Sequence, residues 1–148
     1  MTEKLPTKKD IKFLLSEDVR MEAGGKFSLL GVFPSDRFSV GGKLPTGVSG
    51  VAFAIPSLAF TFVILPRASY GKRPGRIKVF APDKRTVLGD IELSTVDLKP
   101  GRSAVIANAA KPFAGPAYGT YTVELEIGSN KYRFPFTVEK AKEAKRID

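Results

Sequence analysis

The chain contains no cysteine, no histidine and no tryptophan among its 148 residues. Without cysteine there is no disulfide framework, no thiolate zinc site and no thiol nucleophile. Without histidine, the commonest metal ligand and the usual general base near neutral pH are missing too. No Asn-x-Ser/Thr acceptor and no lipidation signature occurs. Long apolar runs are also scarce. The most apolar stretch, residues 51–65, is shorter than a spanning helix needs, and Pro56 interrupts it. Its Phe, Val, Ile and Thr suit a pair of buried strands. Residues 1–10 are polar and lysine-bearing with no apolar segment behind them, which argues against a secretory signal and predicts a cytoplasmic protein.

What is present is enough for one buried core. A hydrophobic share of 43% excludes wholesale disorder, and the length suits a single domain. Lys and Arg number 24 against 15 Asp and Glu, so the chain is mildly basic at +9. No metal and no cofactor is expected.

Short strands are predicted at residues 11–16, 26–33, 38–40, 51–55, 58–65, 76–80, 86–93, 103–108, 120–127 and 131–139. Gly24-Gly25, Pro34, Pro56-Ser57, the 81–84 turn and the 98–101 turn separate them. Strand spacing of roughly 8–12 residues without a helical period argues an antiparallel sandwich. The expected organisation is a polar extension over 1–10, one domain over 11–139 and a charged tail over 140–148, helical or frayed.

The last hairpin is the best-determined piece. Tyr121, Val123, Leu125 and Ile127 alternate with Thr120, Thr122, Glu124 and Glu126. Tyr132, Phe134, Phe136 and Val138 alternate with Lys131, Arg133, Pro135 and Thr137. Both apolar sets share a face only if paired residue numbers sum to an odd value. A two-residue Gly128-Ser129 loop of type II′ satisfies that and sets Glu126 opposite Lys131 and Glu124 opposite Arg133. A four-residue loop is the alternative. Pro135 gives no ladder bond, so the last strand is expected at an edge or with an irregularity.

Within that hairpin, Gly119-Thr120-Tyr121-Thr122-Val123 resembles the penultimate strand of immunoglobulin-like sandwiches, where a Tyr near the strand start forms a tyrosine corner. The hallmark disulfide and core Trp are absent, which excludes an antibody-type domain. The resemblance implies an immunoglobulin-like antiparallel β-sandwich of about seven to nine strands. The front of the chain, Phe13-Leu14-Leu15-Ser16-Glu17-Asp18-Val19-Arg20-Met21-Glu22 with Gly25-Lys26-Phe27-Ser28-Leu29-Leu30-Gly31-Val32-Phe33, is similar to a family of small bacterial proteins of unassigned function. That similarity implies a bacterial cytoplasmic or phage-related origin. It supplies no activity and no catalytic residues.

Catalytic motifs fail one by one. Glu17 and Asp18 are adjacent, and neighbours on a strand point to opposite faces, so they share a proton only if the segment leaves the strand. The simpler reading is a local hydrogen-bonding turn with Arg20. Gly41-Gly42-Lys43-Leu44 lacks the first Gly of a phosphate loop, where Arg37 stands, and has Leu44 in place of Ser or Thr. Ser16, Ser35 and Ser103 have no nucleophile-elbow context and no histidine to activate them. A non-enzyme is expected.

Two other patterns remain. Arg67, Lys72, Arg73, Arg76, Lys78, Lys84 and Arg85 face Asp83 alone within nineteen residues, which is +6 of the total +9. With Tyr70 and Phe80 interleaved, Arg67, Tyr70, Lys72, Arg73, Arg76 and Lys78 form a candidate anion or single-stranded nucleic-acid contact. A solvated connection or a protected edge strand gives the same composition. Second, Leu58, Phe60, Phe62 and Ile64 make one apolar strand face, while Ala59, Val63 and Leu65 make the other almost as apolar. Likewise Leu30 and Val32 oppose Phe27, Leu29 and Phe33. A two-layer sandwich needs one apolar face per strand. The excess is covered by the 34–50 loop, by the tail, or by another molecule. Ala59, Val63 and Leu65 are therefore the candidate partner-binding residues, with a protein partner or a homodimer as occupant and no membrane. The leading expectation is a non-enzymatic binding or structural module; the alternative is a nucleic-acid-binding domain using residues 67–85.

Overall fold

Alternating apolar residues punctuated by Gly and Pro produce a structure that is almost entirely strand. The computed structural model describes residues 5–41, 50–68 and 70–142. In chain order the strands are β1 (Ile11–Met21), β2 (Phe27–Val32), β3 (Arg37–Val40), β4 (Phe53–Ile55), β5 (Leu58–Ile64) and β6 (Gly71–Phe80). They continue with β7 (Val87–Leu98), β8 (Ala104–Ala110), β9 (Phe113–Gly115), β10 (Gly119–Ile127) and β11 (Asn130–Lys140). Two single 3-10 turns lie at Lys8–Asp10 and Ala23–Gly25. Among the described residues no helix is long and apolar enough to cross a membrane.

Two main sheets form the sandwich: β2-β1-β5-β8 and β3-β11-β10-β6-β7, with β4-β9 as a separate ribbon. In the five-stranded sheet, β6, β10 and β11 stand in the C-F-G order of an immunoglobulin-like fold, with β7 beside β6. Phe60 and Phe62 of β5, Ile77 of β6, and Tyr121, Val123, Leu125 and Phe136 of the last hairpin are buried between the sheets. The rings of Tyr121 and Phe136 stack at 5.3 Å, and Phe60, Phe113 and Phe53 close round them at 5.8–6.0 Å. Offset and edge-to-face contacts of this kind add to the burial of large rings.

Tyr121 makes the tyrosine corner: its hydroxyl donates to the backbone carbonyl of Ala117, four residues upstream. Gly115 permits that geometry. A Cβ there would stand 2.1 Å from the Tyr121 oxygen and 2.5 Å from the Phe53 ring. The final hairpin has the odd-sum register, with Glu124 opposite Arg133 and Glu126 opposite Lys131. Gly128 at φ 56° opens its two-residue loop.

Several expectations change. The described residues hold eleven strands rather than seven to nine, and the β3–β11 pair is parallel. β1 continues through Glu17-Asp18-Val19-Arg20, which is not a separate turn. β6 begins at Gly71, five residues before the expected start, because a bulge between Arg73 and Gly75 accommodates Pro74. β9 had no sequence signal long enough to mark it. Pro135 lies in β11 just before β3 begins to pair at Thr137, so that edge is open where proline stands and covered beyond it. Packing starts before Ile11: Leu5 is buried, and the Tyr132 hydroxyl donates to the Pro6 carbonyl. β11 carries the chain to Lys140, and residues 143–148 of the expected helical tail lie outside the described residues.

Candidate binding face

Three cross-strand rows make the middle of the outer face of the four-stranded sheet, and two further rows beyond them, Asp18 with Leu30 and Arg20 with Ser28, bring charge to its end. Lys12 stands opposite Val63 and Val63 opposite Val105; Leu14, Thr61 and Ala107 make the second row. Val32, Ser16, Ala59 and Ala109 make the third. Directly paired residues share a face. The intervening rows, such as Phe13, Phe62 and Ile106, turn into the core. Leu65 follows with the parity of Val63, its N–H donating to the Asp10 carbonyl at 2.9 Å.

Lys12 is the one charged residue in the three middle rows. Val32 is 48% exposed, Leu65 46% and Val105 37%, while Leu14, Val63, Ala107 and Ala109 are half-buried. Ala59 and Thr61, small side chains on a central strand, have no exposure. The predicted partner residues thus divide: Leu65 is open, Val63 is half-buried, and Ala59 is floor rather than contact surface. Ser16 is buried with its hydroxyl donating to the Asp18 carbonyl at 3.0 Å. The Thr61 hydroxyl is buried without a hydrogen-bond partner.

The basic segment falls on the outer face of the other sheet, where its charge meets carboxylates from neighbouring strands. Lys72 is opposite Asp97, Arg76 opposite Glu92 and Glu126, and Lys78 opposite Asp90 and Glu124. Arg76 Nη1 approaches Asp90 at 3.1 Å, and Arg133 Nε reaches Glu124 at 3.0 Å. Arg73 instead pairs with buried Val96 and is itself half-buried. Tyr70 packs against the core, its N–H donating to the Leu98 carbonyl at 3.0 Å. Arg67 projects elsewhere, to Asp10 at 2.7 Å. Only Lys72, Arg76 and Lys78 of the candidate anion set therefore share a face, and each has an acidic neighbour. Phe80 borders a shallow depression with Lys84, Thr122, Glu124, Arg133 and Pro135.

Glu17 and Asp18 both line a cleft of about 520 Å³ whose floor includes Phe33, Phe38 and Ile55. Asp18 is held below the ordinary carboxylate range, first by the Val19 N–H at 2.8 Å and then by the Lys111 ammonium at 3.1 Å. General acid–base work near neutral pH needs the opposite displacement. Arg20 is not the hydrogen-bond partner that the sequence suggested; Lys111, 93 residues away, is. Gly31, at φ 63°, leaves room for the Glu17 side chain, which a Cβ would meet at 2.7 Å.

Other motif residues have local roles. Ser35 accepts from the Arg37 N–H and Ser103 is exposed outside any strand. Of the glycine-lysine stretch, residues 42–44 lie outside the described residues. Sequence reasoning missed Asp10, which is buried and accepts bonds from the Thr7 N–H, the Thr7 hydroxyl and Arg67. Burial pushes its pKa up, but these three donors outweigh it and hold the group low. The Thr7-x-x-Asp10 spacing, the pattern of a reciprocal cap, was the available signal.

The chain matches no protein-family model and no curated protein.

Proposed function

We propose that this protein is a non-enzymatic binding or assembly module that docks a protein partner on the outer face of its four-stranded sheet. The supporting observation is the row pattern: the three middle rows carry Lys12 as their one charge, Asp18 and Arg20 standing in the rows beyond, and Val32, Val105 and Leu65 stay more than a third exposed. A solvated outer face ordinarily alternates to polar residues. Exposed large apolar side chains on a sheet face of this kind favour an interaction site. A bacterial cytoplasmic setting is part of the same proposal and rests on the similarity of residues 13–33.

The nucleic-acid alternative keeps Lys72, Arg76, Lys78, Lys131 and Arg133 as its contacts. It has less support because Asp90, Glu92, Asp97, Glu124 and Glu126 are interleaved on the same face. Phosphate binding weakens steeply with salt, in proportion to the phosphates neutralised. Titration of a fluorescent single-stranded oligonucleotide should accordingly show no binding at low salt; tight, steeply salt-dependent binding would favour the alternative. For the leading reading, Val63→Lys should abolish partner capture from the source cells while preserving the far-ultraviolet dichroism of the fold. Loss of the fold would make Val63 core and defeat the proposal.

A further inference from the structure

We infer that the free edge of β8 pairs with β8 of a second copy, joining two four-stranded sheets into one. The carrying observation is the direction of backbone groups. The Leu65 N–H bonds to the carbonyl of Asp10, the residue just before β1, in the register that pairs Ile64 with Ile11, and bonded pairs alternate along an antiparallel ladder. Val63, Thr61 and Ala59 consequently direct their N–H and C=O groups to β1, as the Phe33-to-Leu15 bond on the far side of β1 also requires. Ile64, Phe62, Phe60 and Leu58 then serve β8, bonding Ala104, Ile106, Asn108 and Ala110. Val105, Ala107 and Ala109 turn their backbone groups away from the sheet. Among the described residues no strand pairs with β8 on that side.

Protein edges are usually blunted by charge, proline, a bulge or short length. β7, the edge of the other sheet, carries Asp90, Glu92 and Asp97 and two register shifts. β2 has six residues with Gly31 in the left-handed region, and β3 has four residues. β8 has none of these devices: its seven residues, Ala-Val-Ile-Ala-Asn-Ala-Ala, contain no charge and no proline, and its register with β5 is unbroken.

A second copy is the occupant the geometry fits. With a two-fold axis at Ala107, Val105 stands opposite Ala109 of the mate and Ala107 opposite Ala107, so all outward backbone groups find partners. The register has an even sum, which keeps outer face on outer face. Arg102 and Lys111 fall opposite Pro112 and Ser103, so no like charges meet directly. Three bonded pairs would exchange about six backbone hydrogen bonds. The isologous arrangement closes and cannot propagate into a fibre. The inference rests on the proposed function only in using the same apolar face to flank the seam.

The test is sedimentation equilibrium of the full chain up to high micromolar concentration, with hydrogen exchange on the same samples. The expected result is a dimer in which the amides of Val105, Ala107 and Ala109 become protected as concentration rises. Ala107→Pro removes an N–H that the monomer fold does not use, and Ala107→Lys sets two ammonium groups opposite each other. Each should weaken the dimer at least about tenfold, while Val63→Lys, one strand from the seam, leaves it intact. A monomer at high micromolar concentration overturns the edge pairing and leaves partner docking standing. A dimer broken by Val63→Lys but indifferent to both Ala107 variants also overturns it, and moves the seam to the face.

Discussion

The two outer faces of the sandwich stand on one core yet differ in the chemistry of their middle rows. On the five-stranded sheet, Lys72, Arg76, Lys78, Lys131 and Arg133 alternate across strands with Asp90, Glu92, Asp97, Glu124 and Glu126. On the four-stranded sheet, Leu14, Val32, Val63, Val105, Ala107 and Ala109 occupy outward positions of the three middle rows, with Lys12 at one end and Asp18 and Arg20 in the rows beyond. The basic run that dominates the sequence is locally unbalanced and spatially balanced. Charge along a strand is thus a poor guide to charge on a sheet, because the neighbours that matter are one strand away. Conversely, the apolar face draws its residues from β1, β2, β5 and β8, none of which looks unusual alone.

Removing what both faces stand on gives the largest effect. Phe136 is fully buried between Tyr121, Phe60, Phe113 and Phe38. Phe136→Ala should cost about 3–5 kcal/mol, measured by urea unfolding, and should weaken both sheets together.

The charged face should break next. Arg133→Ala leaves the Glu124 carboxylate, 4% exposed, without its guanidinium. Loss of about 1–3 kcal/mol is expected from stranding a buried acceptor. Lys12→Ala on the apolar face should change stability by less than about 0.5 kcal/mol.

A gain is expected on the apolar face. Thr61→Val replaces a buried, unpartnered hydroxyl with a methyl of similar size. Stability should rise by about 1 kcal/mol, visible as a higher urea midpoint at unchanged slope.

The smallest effect is a titration. Asp83, in the turn joining β6 to β7, accepts first from the Thr86 hydroxyl, then from the Thr86 and Arg85 N–H groups, which lower its pKa to about 2. A carboxyl lowered in the folded state stabilises above its unfolded pKa near 4 and loses that contribution as pH falls toward the folded value. Asp10 and Asp18 are lowered too, so stability should stay level above about pH 5 and fall between about pH 4 and 2. Asp83→Asn should flatten part of that slope in acid unfolding curves.

The last hairpin was legible because its information is local: strict alternation, a glycine turn and cross-strand charge together determine one register. The tyrosine corner was legible for the same reason. β1 was read too short because Glu17-Asp18-Val19-Arg20 looks like a turn; Asp18 takes the Val19 N–H within the strand, and Lys111 supplies its cation. β6 was broken at Pro74-Gly75 because a bulge depends on β7, which the local pattern does not contain. The same limit applies to the site. Val63 and Leu65 were visible as surplus apolar residues on one strand, whereas Val105, Ala107 and Ala109 join them only through pairing across about forty residues of chain.

The most direct measurement places a photo-crosslinking amino acid at position 63 in one version of the protein and at position 78 in another, in the source cells. Both positions face outward from central strands, on opposite sheets. Defined protein adducts from position 63, and none from position 78, are the predicted result. Adducts from position 78 with a silent position 63 would contradict the account, placing the working surface on the charged face.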